Sequence, residues 1–422
     1  MPVSSRLSNL PVDRLVPARG PVRTLAVATL VNTAGNGIFM TVSALYFTRI
    51  VGLSFVQVGL GLTIAGVFGL FGGVPLGHLA DRRGPREVML VLLGLLAVTG
   101  TVLIFVHTWW QFVVVASVEA LLDRGSGAVR GAMIAAAVAG AERVRTRAYL
   151  RAVTNIGITG GTAIAAVALH FDSKPAYVTV MLLNVASTFT TMFVLRRMPH
   201  VAPLPVETAA RATLALRDRP FVLVTVIGAV LAMHYTLIDV GLPLWVVNFT
   251  SAPAWSVAAL FTINTIGVVL FQVAVSSRVS TLRLAVRATT ASGVVLFFGC
   301  LLFALAQGRP TGWAMTCLVA ASLVHLVGEL LQASASFMLG YELAADHAQG
   351  QYQGLYSTGF GISAMMAPTV IALLPLTLGV LGWVIFGGIL LGAALATVPA
   401  VRWAEATRST YTLSVPPDAA IV

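Results

Sequence analysis

The sequence predicts an all-α integral membrane fold, with twelve transmembrane helices arranged as two pseudo-symmetric six-helix bundles. Three observations carry this. The 422 residues are 58% hydrophobic and only 10% charged, with a mean hydropathy of +0.91, too apolar for a chain that must present a polar surface to water. A bilayer core about 30 Å thick takes roughly 20 apolar residues per helical span, and the sequence holds about twelve such runs. The second half repeats the first at an offset of 199 positions: Leu45-Tyr46 meets Leu244-Trp245, and Leu62-Thr63-Ile64 meets Phe261-Thr262-Ile263, as an internal duplication would. The runs are continuous, not alternating ten-residue segments, which excludes a transmembrane barrel.

Taken in order, residues 1–22 lack an apolar core and read as an N-terminal tail without a cleavable signal peptide, the first span serving as its own targeting signal. Spans are expected at 23–49, 54–79, 88–108, 110–138, 149–170 and 175–195, the first bundle occupying 23–197. Residues 198–220, with Pro199, Pro203, Pro205, Pro220 and several arginines, read as a linker. The second bundle, 221–402, holds spans at 221–248, 254–276, 286–306, 313–338, 353–375 and 378–400, and 403–422 reads as a tail. Cys300 and Cys317 fall inside the ninth and tenth spans, where each reads as a small buried hydrophobe and not a redox pair.

The net charge of +11 could suggest nucleic acid, but almost every base lies at a helix end. With the N-terminus in the cytoplasm, only Arg49, Lys174 and Arg309 fall outside. The bases at Arg6 to Arg23, Arg82 to Arg86, Arg143 to Arg151, Arg196 to Arg219, Arg278 to Arg287, Arg402 and Arg408 fall inside. That asymmetry is the positive-inside pattern; it places both termini in the cytoplasm of a plasma or inner membrane and gives no reason to expect a nucleic-acid partner.

One stretch needs more than topology. In "GHLADRRGPREV", Gly77 to Val88, five charges (Asp81, Arg82, Arg83, Arg86 and Glu87) fall within seven positions between two apolar runs. Orientation accounts for the arginines but not for Asp81, and the duplicate stretch, "SSRVSTLRLAVR" from Ser276, keeps arginines without an acid. The stretch resembles the motif between helices 2 and 3 of the major facilitator superfamily, matching at Gly77, Leu79, Ala80, Asp81, Arg82, Gly84 and Arg86. Arg83 and Pro85 depart from it, standing where an aromatic residue and a base are common. With twelve spans and a half-chain offset, the resemblance covers nearly the whole chain. It implies an alternating-access transporter in which Gly77, Asp81, Arg82, Gly84 and Arg86 form a gate, the aspartate facing the start of the eleventh helix. A carboxylate is favoured beside the free N–H groups of a helix N-terminus. Two further likenesses are partial. Asp123 to Ala128 is similar to a motif pairing a buried arginine with small residues, and "NIGITGGTAIAA" from Asn155 is similar to a glycine-rich antiporter motif without its proline. Close helix packing equally explains Gly157, Gly160 and Gly161.

Ionisable groups inside a bilayer are expensive, so each is a functional candidate. Asn32 and Asn36, Glu119 and Asp123, Tyr235 and Asp239, and His325 and Glu329 are i, i+4 pairs in spans 1, 4, 7 and 10, each presented on one helix face. They are the first helices of four three-helix repeats, which the resemblance implies line a single polar chamber between the halves. At about 1.5 Å per residue, Glu119 falls near mid-membrane, with Asp123 and Arg124 a turn nearer the cytoplasm, Glu329 in the inner half and Asp239 at the outer mouth. Glu119 is the first proton-coupling candidate, followed by Asp123, Glu329 and Asp239. Asn32, Asn36, Arg124, Tyr235, Asn264, His325 and Tyr356 are candidate substrate-cavity residues. Asp123 has two readings, neutralising Arg124 or sharing a proton with Glu119, and His325 with Glu329 is either a relay or a helix-helix contact. His234, about 140° around the helix from Asp239, reads as packing.

The resemblance extends to the drug and metabolite exporters of the superfamily. It implies export of small amphipathic molecules in exchange for protons, and the acids expected in the chamber favour cationic or neutral ones. A proton-coupled uptake symporter is the alternative. An enzyme is not expected: none of the seven histidines lies within five positions of another, and neither a nucleotide loop nor an acid cluster with metal-ligand spacing is present, so neither cofactor nor metal is implied. The expected partners are a small solute, protons and the bilayer, with the chain acting as a monomer.

Overall fold

In the computed structural model the described residues are 20–138, 141–171, 173–200, 213–253 and 255–411. Most of the expected linker and of both tails lies outside them. The transmembrane helices are α1 (Pro21–Leu45), α2 (Phe55–Leu70, continuing as Gly73–Arg83), α3 (Pro85–Ile104), α4 (Trp109–Ala137), α5 (Ala141–Phe171) and α6 (Lys174–Leu195) in the first half. The second half has α7 (Arg219–Thr236, continuing as Leu242–Phe249), α8 (Trp255–Ser276), α9 (Leu282–Leu305), α10 (Thr311–Glu342), α11 (Gln349–Ile371) and α12 (Val380–Tyr411). Single π-type turns extend α1 over Tyr46–Ile50, join the two parts of α7 over Leu237–Gly241 and extend α11 over Ala372–Leu376.

Ten of these helices are long and apolar enough to cross a membrane, and α2, bent by 42° between its parts, makes an eleventh. α4 completes the twelve: its 29 residues are long enough, but Glu119, Asp123, Arg124 and Arg130 lower its hydropathy. The exposed face of Val91, Leu95, Val98 and Val102 on α3 is purely apolar, as a lipid-facing stripe must be.

Local chemistry sets the ends. Capping boxes of Ser54 with Gln57 and of Thr108 with Gln111 start α2 and α4. Asp218 starts α7 by accepting from the Phe221 N–H at 3.0 Å and from the Tyr352 hydroxyl at 2.8 Å; burial raises its carboxyl above the usual range. Gly84, at φ 90°, ends α2 in a conformation that favours glycine, and Pro85 opens α3 with its fixed φ. Two boundaries differ from the sequence reading by eight residues or more. α12 runs to Tyr411, through the start of the expected tail, and α5 begins at Ala141, not 149. The second shift matters, because it brings Arg143 and Arg147 into the same membrane-spanning helix as Arg151.

The packing repeats across the halves. α1 packs on α5 and α6, α3 on α4 and α6, and α2 on α4; moved on by six helices, the same pairings recur as α7 on α11 and α12, α9 on α10 and α12, and α8 on α10. Between the halves, α2 and α4 meet α11, and α8 and α10 meet α5. Apolar clusters at the two faces differ. Toward the face of the charged hairpin they are shared: Tyr341 of α10 is buried in a cluster of the first half, and Val144 of α5 in one of the second. Toward the opposite face, Tyr46, Phe47 and Phe112 belong to a cluster built from the first half alone, and Trp245, Phe303 and Trp383 to one built from the second. The halves are therefore joined at the hairpin face and packed separately at the other.

Candidate functional site

The joint at the hairpin face is made by two glycine pairs. Gly73 and Gly77 on α2 lie against Gly354 and Gly350 on α11, so closely that a Cβ on Gly77 would strike the Gly350 carbonyl, and one on Gly350 the Gly77 carbonyl. Backbone approach of this kind brings the α2 side chains to the α11 N-terminus, where the first N–H groups have no partner within the helix. Asp81 fills that position. Its Oδ1 accepts from the Gly350 N–H at 2.7 Å and its Oδ2 from the Gln351 N–H at 3.1 Å, while the Gln351 amide pairs with His78 at 3.0 Å. The other motif residues serve the hairpin itself: Gly84 makes the turn, Arg86 donates to the Arg196 carbonyl at 2.6 Å and to Glu87 at 3.2 Å, and Arg82 is exposed.

Where one chamber between the halves was expected, the candidate residues among those described divide between two main cavities. The first, of about 330 Å³, lies within the first bundle and is lined by Asn32 and Asn36 of α1, Glu119, Asp123, Arg124 and Arg130 of α4, and Asn184 and Thr188 of α6. The 3.6-residue period of α4 puts Glu119 and Asp123 one turn apart on this wall. Neither carboxylate has a hydrogen bond or ion pair among the described residues. Asp123 therefore does not pair with Arg124, whose guanidinium carbon leans toward α11, 3.5 Å from where a Cβ on Gly361 would stand.

The second cavity, of about 320 Å³, does lie between the halves, lined by Arg147 and Arg151 of α5, Tyr235 of α7, Tyr341 of α10 and Tyr356 of α11, among others. Beside it, Arg151 crosses to the second half. It donates to Glu329 Oε1 at 2.6 Å and to the Tyr235 hydroxyl at 2.7 Å, with its guanidinium over the Tyr235 ring. Asn264 donates to Glu329 Oε2 at 2.7 Å, and Tyr235 to Gln332 at 2.9 Å. Arg147 reaches the Tyr341 hydroxyl at 3.3 Å, and Tyr356 bonds to Ser336 at 2.8 Å. His325 and Glu329 are 3.9 Å apart, beyond a hydrogen bond, and His325 meets His234 instead, at 3.3 Å. His234 is thus more than packing. Asp239 is exposed in the π-type turn of α7 and lines neither cavity.

The i, i+4 pairs are therefore divided: those of α1 and α4 share the first cavity, whereas Tyr235, His325 and Glu329 join a polar cluster that bridges the halves. Sequence reasoning missed Arg147 and Arg151 because both were counted among the cytoplasmic bases, Arg147 outside the expected fifth span and Arg151 at its start. Their signal was the Arg143, Arg147, Arg151 spacing, one base per turn on one face. They also remove the expected acidic excess. In the first cavity Glu119 and Asp123 are matched by Arg124 and Arg130, and beside the second Glu329 is paired with Arg151.

Solved transporters share this architecture, although no curated protein matches the chain by sequence. A bacterial homologue of the iron transporter ferroportin, solved in an outward-facing state, superposes with a TM-score of 0.74 at 14% identity, over 91% of this chain and 99% of its own. The human organic anion transporter MFSD10 (TETRAN) superposes with a TM-score of 0.65 at 17% identity, over 91% and 99%. The transporter FucP, in an outward conformation, gives 0.68 at 12% identity, over 91% and 98%. The family profile of the Major Facilitator Superfamily matches residues 25–368. With two repeated six-helix halves joined at one face and polar cavities enclosed by apolar helices, the chain belongs to the Major Facilitator Superfamily and is a multi-pass membrane transporter.

Proposed function

We propose that the chain exports small amphipathic solutes in exchange for protons, with the hairpin face and both termini in the cytoplasm, working as two bundles, 23–197 and 221–402, about a linker at 198–220. The observation that carries this reading is the pair Glu119 and Asp123 on the wall of the first cavity, neither held by a hydrogen bond or close ion pair among the described residues. A carboxyl there is ionised only at a cost, which a proton removes. Proton uptake from the opposite face and release at the hairpin face would drive the halves past each other, with Asp81 on the α11 N-terminus holding the hairpin face shut between turnovers. The orientation rests on the arginines at that face. The even balance of acids and bases favours neutral amphipathic solutes over cations.

Glu119→Gln mimics the protonated acid and keeps its volume. In proteoliposomes with an imposed pH gradient, this variant is expected to bind and equilibrate solute but to lose uphill accumulation. Asp123→Asn should have the same effect if the two acids share one proton, and a smaller one if they do not. Undiminished uphill transport by Glu119→Gln would remove it as the carrier, and flux in the reverse direction would favour the uptake symporter.

A second reading has its own observation. Arg147 and three tyrosines line the inter-half cavity, a setting suited to an aromatic carboxylate, and one structural neighbour carries organic anions. A flux panel of matched anions, cations and neutral compounds decides between the readings. Preference for anions, lost in Arg147→Gln, selects the second.

A further inference from the structure

We infer that His234, His325 and Glu329 form a binding site for a divalent transition-metal ion, zinc in its simplest form, and that this ion and Arg151 compete for Glu329. The inference goes beyond the proposed proton-coupled export and does not depend on it.

Two helices supply the site. His325 and Glu329 stand one turn apart on α10, and His234 reaches them from α7, so that one nitrogen or oxygen of each residue lies within 4.8 Å of the others. All three side chains are buried, the histidines almost completely, with relative exposures of 0% and 1%. His234 Nδ1 and His325 Nε2 are 3.3 Å apart. Two ligands about 2.0–2.1 Å from one tetrahedral ion stand roughly that far from each other.

The histidines do not satisfy each other. A neutral imidazole has one N–H and one lone pair, so the pair shares a single hydrogen bond. By hydrogen-bond geometry the remaining nitrogens, His234 Nε2 and His325 Nδ1, are buried without a partner among the described residues. In either tautomeric arrangement one of them is a bare lone pair and the other an unsatisfied N–H, each costing about 1–3 kcal/mol. A proton relay would need a continuous chain, and this one stops at both ends. Two neutral imidazoles and a carboxylate are the ligands that a borderline divalent ion selects, and Asn264 fixes the carboxylate by donating at 2.7 Å to Oε2, the oxygen that faces His325 at 3.9 Å.

What opposes the ion is Arg151, whose guanidinium holds Glu329 Oε1 at 2.6 Å from the other half. Arg151 holds Oε1 while Oε2 faces the histidines, so the ion and the guanidinium place two positive charges on one carboxylate and each weakens the other's hold on it. By linkage, the ion favours the arrangement in which α5 has moved away from α10, and closure of the hairpin face weakens its binding.

The test uses the purified full chain in lipid nanodiscs and the metals alone. Titration with Zn(II) should show one site. Co(II) should give the visible absorption of a tetrahedral N,O complex, which Zn(II) displaces. His234→Asn, His325→Asn and Glu329→Gln should each weaken binding by about tenfold or more, while Arg151→Gln should tighten it by about tenfold. A tighter single site that keeps the wild-type Co(II) spectrum does not come from a protein that has failed to fold, so that variant and the wild-type spectrum decide even if the histidine variants are unstable. Absence of saturable binding in both wild type and Arg151→Gln overturns the site. So does a Co(II) spectrum unchanged by His234→Asn or His325→Asn, which would mark adventitious binding at exposed histidines. Equal affinities of wild type and Arg151→Gln overturn the competition.

Discussion

Truncating Arg151 to alanine is expected to lower the stability of the folded chain by about 3 kcal/mol. The variant leaves the Glu329 carboxylate buried without its guanidinium, and breaking a buried pair from one side costs more than the pair itself contributes. The figure stands at the low end for buried pairs because the Arg151 side chain keeps 20% of its exposure through the second cavity, against 6% for Glu329. Glu329→Gln removes the charge while keeping a group that Asn264 and Arg151 can bond, so it should cost less. The double variant Arg151→Ala with Glu329→Gln should recover much of the loss, because no uncompensated anion remains. Unfolding in mild detergent across this cycle gives the coupling energy directly. Simple additivity of the two single losses would mean that the contact contributes nothing across the halves. The same cycle separates a pair that merely holds the protein together from one that opens during transport, since the latter also changes the distance between the halves.

Asp81→Asn is expected to leave the fold intact and to shift the resting population toward an open hairpin face. The carboxylate accepts from the Gly350 and Gln351 N–H groups at 2.7 and 3.1 Å, and hydrogen bonds to a charged group contribute about 1.5–3 kcal/mol each. Asparagine keeps one acceptor oxygen and loses the charge, so a net change of about 2 kcal/mol, roughly 30-fold in population, is the expected scale. Spin labels at Arg83 and Arg283, both exposed near that face, would report the distance, and the two native cysteines are buried and leave the labelling clean. Gly77→Val should open the same face by an independent route, because its side chain would displace the Gly350 backbone. If both variants kept the wild-type distance distribution and transported normally, the hairpin would serve orientation alone.

The class of fold, the number of helices and the position of the hairpin were legible in the sequence, because they depend on local quantities: apolar run length, the placement of bases at helix ends, and turn residues such as Gly84 and Pro85. Resemblance to a known motif also placed Asp81 opposite the start of α11. Which polar residues share a space is instead a property of the folded chain. Asn32, Asn36, Glu119 and Asp123 line a cavity inside one bundle, whereas Tyr235, His325 and Glu329, with the same spacing, meet an arginine from the other half. Periodicity fixes the helix face on which a side chain lies, but the neighbour of that face is set by packing over the whole chain. Arg151 illustrates the limit. In sequence it is one more base near a helix start; its role appears only when α5 crosses α10 and the nearest way to relieve two buried charges is for each to neutralise the other.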